Sequence, residues 1–232
     1  MRGIFVTGTG TGVGKSVVAA AICSALARRG LRVAAFKPVV TGLDELGDWP
    51  ADHELLALAA SAGQGPEDVA PYRFGPPVSP HLAAELAGAT IAPVEVESAA
   101  RATGAATDAL VVEGVGGLLV PLSSGYLVRD LARALGFPLL VAARAGLGTL
   151  NHTLLTVESA RAAGLDVAAV VLTPWPSEPN AVERSNRETI ERLAGVPVWG
   201  LPPTAPRSLA DAGEHLPLDS LRLETLGSAL AT

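Results

Sequence analysis

Nine residues, Gly8-Thr9-Gly10-Thr11-Gly12-Val13-Gly14-Lys15-Ser16, constrain the fold more than any other stretch of the chain. An apolar run at residues 4–6 enters them. A helical pattern at 15–29 leaves them, with Val18, Ile22, Ala25 and Leu26 on one face and Gly30 as its stop. Glycines at this density let backbone N–H groups turn inward around an anion, and the following helix points its positive end at the same place. Lys15 is set to bridge β- and γ-phosphates, and the Ser16 hydroxyl to bind Mg²⁺. The usual spacing is glycine, four residues, then Gly-Lys-Ser/Thr. Here the first glycine is Gly8 and position 9 is threonine, so the loop is one residue longer.

A strand, a phosphate loop and a helix at the start of a chain imply a βα repeat, and the rest of the sequence continues it. Continuous apolar runs at 33–36, 109–112, 139–142, 167–172 and 198–201 read as strands buried on both faces. Helical patterns fall at 52–62, 81–86, 94–102 and 149–163. Another starts after Asn180, where Glu183 completes a capping-box-like signal. The expectation is one α/β domain over residues 1–232, a doubly wound, mostly parallel sheet with helices on both faces. Residues 41–79 carry little periodicity, and a Pro-rich tail follows 201.

Composition narrows the function. With 49% hydrophobic and 17% charged residues, the chain of 232 can bury enough apolar surface to fold. A net charge of −6 and the lack of a basic run argue against a nucleic-acid groove or an anionic membrane as partner. The single cysteine, Cys23, lies in an apolar helical stretch and reads as a buried, inert thiol. No signal-peptide pattern opens the chain, and its longest apolar run, 17–27, is too short to span a bilayer, so a soluble cytoplasmic protein is expected.

Of the 17 basic residues only Lys15 and Lys37 are lysines. A lysine kept in so arginine-biased a chain suggests a place where a compact ammonium is needed. Lys15, Lys37 and Glu113 each follow or end a strand, so all three converge on the carboxyl edge of the sheet, where such folds bind ligands. Glu113, at the end of a buried strand, suits a Mg²⁺ shared with a nucleotide; the alternative is a carboxylate capping the glycine turn after it. Asp52 is either a second metal ligand or the N-cap of its helix.

Five blocks in order resemble the dethiobiotin synthetases: the stretched loop from Gly8 to Ser16; Lys37-Pro38-Val39-Val40-Thr41-Gly42; Ser79-Pro80-His81; Glu113-Gly114-Val115-Gly116-Gly117; and Leu147-Gly148-Thr149-Leu150-Asn151-His152. The resemblance covers residues 4 to 202. It implies a P-loop NTPase fold and an ATP-dependent, Mg²⁺-dependent ring closure of 7,8-diaminononanoate with CO₂, through a carbamate and a phosphorylated carbamate. By position it implies that Lys37 holds the carbamate and Lys15 the phosphates, with Thr11 between them. Ser16, Asp52 and Glu113 would bind Mg²⁺. Gly12, Val13, Gly14, Lys15, Ser16 and Val17, with Thr173, Leu201 and Pro202, would hold the nucleotide. Thr41, Ser79, Pro80 and His81, with the backbone at Gly116 and Gly117, would line the diamine site. Gly148, Thr149, Leu150 and Asn151 would reach the substrate across the interface of a homodimer. His81 and His152 are otherwise ordinary packed or capping histidines. Two departures stand out: Gly12 replaces a commonly acidic residue, and Thr173 stands where the family often has asparagine.

Two rivals share the loop. Another amide-forming synthetase of the superfamily would bring a glutaminase domain with a catalytic cysteine, which nothing here supplies. A partitioning-type ATPase switch would carry an extra lysine where this chain has Gly10, and often a basic amphipathic tail; residues 218–232 hold a single arginine, Arg222.

Overall fold

A computed structural model describes residues 2–45 and 47–221. The far tail with Arg222 lies outside the described residues. In chain order the elements are β1 (Gly3–Gly8), α1 (Lys15–Arg28), β2 (Val33–Phe36), β3 (Val39–Val40), α2 (Asp52–Ala59), α3 (Pro66–Val69), β4 (Tyr72–Arg73), α4 (Pro80–Leu86) and α5 (Pro93–Ala105). They continue with β5 (Ala109–Glu113), β6 (Pro121–Ser123), β7 (Tyr126–Leu127), α6 (Val128–Leu135), β8 (Leu139–Ala143), α7 (Thr149–Ala162), β9 (Val167–Leu172), α8 (Ala181–Ala194), β10 (Val198–Gly200) and α9 (Leu209–Gly213).

Six strands form the main sheet in the order β10-β9-β8-β1-β5-β2, every pair parallel. Successive side chains point to opposite faces of a strand. In β1, Phe5 therefore joins the apolar layer under α5, α6, α7 and α8, while Ile4 and Val6 join the layer under α1, α2 and α9. This is the doubly wound α/β architecture expected of a P-loop NTPase. The chain leaves β1 toward β2 on one side and later returns to β8 on the other. The crevice at the carboxyl end of β1, between β5 and β8, is thus the topological switch point.

The expected strands and helices are present within a few residues. The helix beginning at Asp52 stops at Ala59 rather than 62, because the Ser61 and Ala62 N–H groups turn to the Val33 carbonyl. The unpatterned stretch 41–79 contains α3 and a short parallel pair, β3 with β4. A hairpin, β6–β7, leads into α6, which was not foreseen although Val128, Leu131, Ala132 and Leu135 carry the helical i, i+3, i+4, i+7 spacing. The tail includes α9, laid directly on the phosphate-loop helix: a Cβ at Gly213 would sit 2.3 Å from the Ala21 carbonyl oxygen. Among the described residues no helix is long and apolar enough to cross a membrane.

Candidate active site at the carboxyl edge of the sheet

The phosphate loop leaves β1 at Gly8 and enters α1 at Lys15. The loop packs closely against its neighbours at both ends. Gly14 is the N-cap with φ of 94°, and a Cβ there would lie 2.7 Å from the Thr173 γ-methyl. Thr9 donates its N–H to Ala142 O at 3.0 Å and forms an isolated bridge with Gly117. Lys15 is buried and its Nζ donates to Gly10 O at 2.8 Å. Burial, opposed in part by Glu113, lowers its pKa to about 8.

Beside the loop four side chains lock together. Lys37, directly after β2, donates to Glu113 Oε1 at 2.5 Å and to Asp52 Oδ2 at 2.6 Å. Ser16 Oγ lies 2.7 Å from Asp52 Oδ1 and 2.9 Å from Glu113 Oε1, its single proton serving one at a time. Burial by itself would lower the Lys37 pKa, but the Glu113 and Asp52 carboxylates outweigh it, and the ammonium is held charged. Against its own burial, the Lys37 ammonium and the Ser16 hydroxyl pull Asp52 down to about 2. Burial pushes Glu113 up despite Lys37.

Neither carboxylate acts as a backbone cap. Ala51, not Asp52, is the N-cap of α2, and Glu54 reaches back to the Ala51 N–H at 3.1 Å. Asp52 is left free to face Ser16 and Lys37. Both hydrogen bonds of Glu113 are to side chains, and its Oε2 is buried with no partner among the described residues. No group of three or more His, Cys, Asp or Glu is arranged to hold a metal among the described residues. The cluster presents two carboxylates and a hydroxyl, hard oxygen donors of the type that Mg²⁺ takes together with phosphate oxygens and water, and Glu113 Oε2 is the one left unmatched.

A cleft of about 840 Å³ joins this cluster to the loop. Thr11, Gly12, Val13, Gly14, Lys15, Ser16 and Val17 form its floor. Thr41, Ser79, Pro80 and Gly116 also line it, as do Thr173, which lies against Gly14, and Pro202. Several expected residues lie elsewhere. His81 is exposed on α4, and Gly117 sits behind the loop, bridged to Thr9. Leu201 is fully buried, its N–H given to Leu172 O and its carbonyl to the Trp175 N–H, so the cleft meets Pro202 instead. Trp175 packs on Gly200 beneath the Arg187 guanidinium. Gly148, Thr149, Leu150 and Asn151, at the start of α7, lie outside the chain's own cleft, next to Leu147, which is 99% exposed.

The sequence reading missed Arg144, Glu45 and Trp49, all of which line the cleft. Arg144 follows the last residue of β8 and donates from Nε (3.1 Å) and Nη2 (2.5 Å) to Gly12 O. Its position at a strand end was the available signal.

Residues 2–209 match the model of an AAA-domain family. Two solved structures of McdA from Cyanothece, one an ATP complex, share the fold at TM-scores of 0.57 and 0.54, with only 11% and 12% identity over 96% and 97% of this chain and 95% and 98% of theirs. Much nearer in sequence is the ATP-dependent dethiobiotin synthetase BioD of Bacillus subtilis strain 168, 35% identical over 226 residues, 97% of either chain. The protein of that name from Anaeromyxobacter dehalogenans strain 2CP-1 is 47% identical over 193 residues, 83% of this chain and 86% of its own. That of Rhodococcus erythropolis strain PR4 is 42% identical over 200 residues, 85% and 86%. Matches at 35% to 47% identity, covering 83% to 97% of the chain, place it in the dethiobiotin synthetase family.

Proposed function

We propose that this protein closes the ureido ring of dethiobiotin from 7,8-diaminononanoate, CO₂ and ATP. One observation carries the reading beyond the family name: Lys37, Ser16, Asp52 and Glu113 form one cluster against the phosphate loop, inside a single cleft. One substrate amine attacks CO₂ and loses a proton, giving a carbamate. A carbamate oxygen attacks the γ-phosphorus and the nucleoside diphosphate leaves. The second amine then attacks the carbonyl carbon of the mixed anhydride, loses a proton to solvent as phosphate departs, and the ring closes. These steps require positioning and charge stabilisation more than a protein nucleophile.

The residues divide the work accordingly. Gly12 to Val17 hold the phosphates, with Lys15 on the β- and γ-groups and Thr11 beside the transferring one. Lys37 holds the carbamate anion. Ser16, Asp52 and Glu113 would hold Mg²⁺, which when bound neutralises charge on the β- and γ-phosphates. Thr41, Ser79, Pro80 and Gly116 take the diamine; His81 and Gly117 adjoin Pro80 and Gly116 in the chain but stand outside the cleft lining. Thr173 and Pro202 bound the base. Gly148, Thr149, Leu150 and Asn151 complete the neighbouring cleft of a homodimer. Incubation with the diamine, bicarbonate, Mg²⁺ and ATP, followed by mass spectrometry, should yield the cyclic urea in step with ADP. ATP turnover that is indifferent to the diamine would reject the reading in favour of a nucleotide switch.

A further inference from the structure

The tip of the phosphate loop has little packing to hold it. A Cβ added at Gly10 or Gly12 would meet nothing within 4 Å, and Gly12 has φ of +70°, so neither side-chain contacts nor ordinary backbone preference fix its peptides. What holds them is a pair of side-chain cations on alternate carbonyls: Lys15 on Gly10 O and Arg144 on Gly12 O. Arg144 has a firm base for this. The Ala143 carbonyl before it takes the Thr173 N–H at 2.9 Å. The Ala145 and Gly146 carbonyls after it take the buried Asn186 Nδ2 at 3.0 and 3.1 Å. The strand that carries it is zipped to β1 up to the pair Gly8–Ala142.

A trans peptide is planar, and its C=O and N–H point in opposite directions. Holding the Gly12 oxygen toward the Arg144 guanidinium therefore turns the Val13 N–H the other way, away from that side chain. We propose that Arg144 is a positioning residue for the nucleotide: its guanidinium orients the Gly12–Val13 peptide so that the Val13 N–H is presented to the phosphates. The two donors, Nε and Nη2, suit this because a planar fork sharing one acceptor fixes direction as well as distance. This rests on the nucleotide-using reading of the cleft and adds to it a residue outside the loop.

Binding of ADP and of a non-hydrolysable ATP analogue, with Mg²⁺, is measured by calorimetry on the wild type, Arg144→Ala and Arg144→Gln, alongside thermal melting and steady-state kinetics. Arg144→Ala should weaken both ligands about tenfold, the scale of one hydrogen bond to a charged group. KM for the diamine and the melting temperature should stay put. Arg144→Gln, which can still donate to Gly12 O without charge, should recover most of the loss. Unchanged affinity in Arg144→Ala overturns the proposal. So does an Arg144→Gln variant as weak as Arg144→Ala with a reduced salt dependence, which would mean that the charge touches the phosphates directly. A wild type that binds neither ligand would instead sink the nucleotide-using reading.

Discussion

Lys37 Nζ lies 2.5 Å from Glu113 Oε1, in a pocket where the lysine is 3% exposed and the glutamate is fully enclosed. With Asp52 on its other side, the ammonium is clamped between two carboxylates. A planar guanidinium is wider than an ammonium and cannot take the same place without moving both acids. Lys37→Arg should therefore lose about 100-fold or more in kcat, the scale of one lost transition-state charge contact. Turnover close to wild type in a folded Lys37→Arg protein would remove Lys37 from the mechanism.

Glu113 gives Oε1 to Lys37 and Ser16, which leaves its unpartnered Oε2 for the proposed Mg²⁺. Glu113→Gln keeps the shape but loses the charge, so the Mg²⁺ concentration for half-maximal rate should rise and excess Mg²⁺ should restore part of the activity. Melting curves would confirm that the variant folds. An identical Mg²⁺ profile would argue that Glu113 serves Lys37 alone.

The Lys15 pKa is lowered to about 8, chiefly by burial. The charged form is the one that binds phosphate, so kcat/KM for the nucleotide should fall as pH rises through about 8 in the free enzyme. Arginine stays protonated throughout, so Lys15→Arg should show no such limb, whatever its absolute rate. A wild-type profile flat to pH 10 would contradict the assignment.

Gly148, Thr149, Leu150 and Asn151 sit outside the cleft of their own chain, with Leu147 wholly exposed beside them. If they complete a partner's site, Asn151→Ala and Lys37→Ala chains, each nearly inactive alone, should regain activity when mixed. Sedimentation should give a dimer. A fully active monomer would refute the shared site.

Thr173, Pro174, Pro202, Pro203 and Thr204 form part of the cleft wall. Proline has no N–H, so few donors face a base there. CTP, GTP and UTP should support turnover within about tenfold of ATP, or ~1.4 kcal/mol. A preference for ATP above about 100-fold would point to contacts from other residues.

What could be read from the sequence follows from how local each signal is. Glu113 and Lys37 stand out because each ends or follows an apolar run, and a charge at a strand terminus is visible in one dimension. Arg144 stands in an equivalent place, after β8, but its partner is a backbone carbonyl 132 residues away, and no side-chain pattern encodes an acceptor of that kind. The β3–β4 pair is two residues per strand, too short for any period to register. Leu201 matched a family position, yet the apolar run that made it look like a strand end also buries it.

The close seating of Gly213 on Ala21 has a practical side. The family match ends at residue 209, the first residue of α9, yet Leu209, Ala212, Leu216, Leu218 and Leu221 are all buried in the layer that covers the helix bearing Lys15. Protein trimmed to the matched span would open the Ala21–Ala25 face of that helix to water. Shortened versions made for crystallisation or labelling should keep residues through Leu221, and a tag is better placed beyond them.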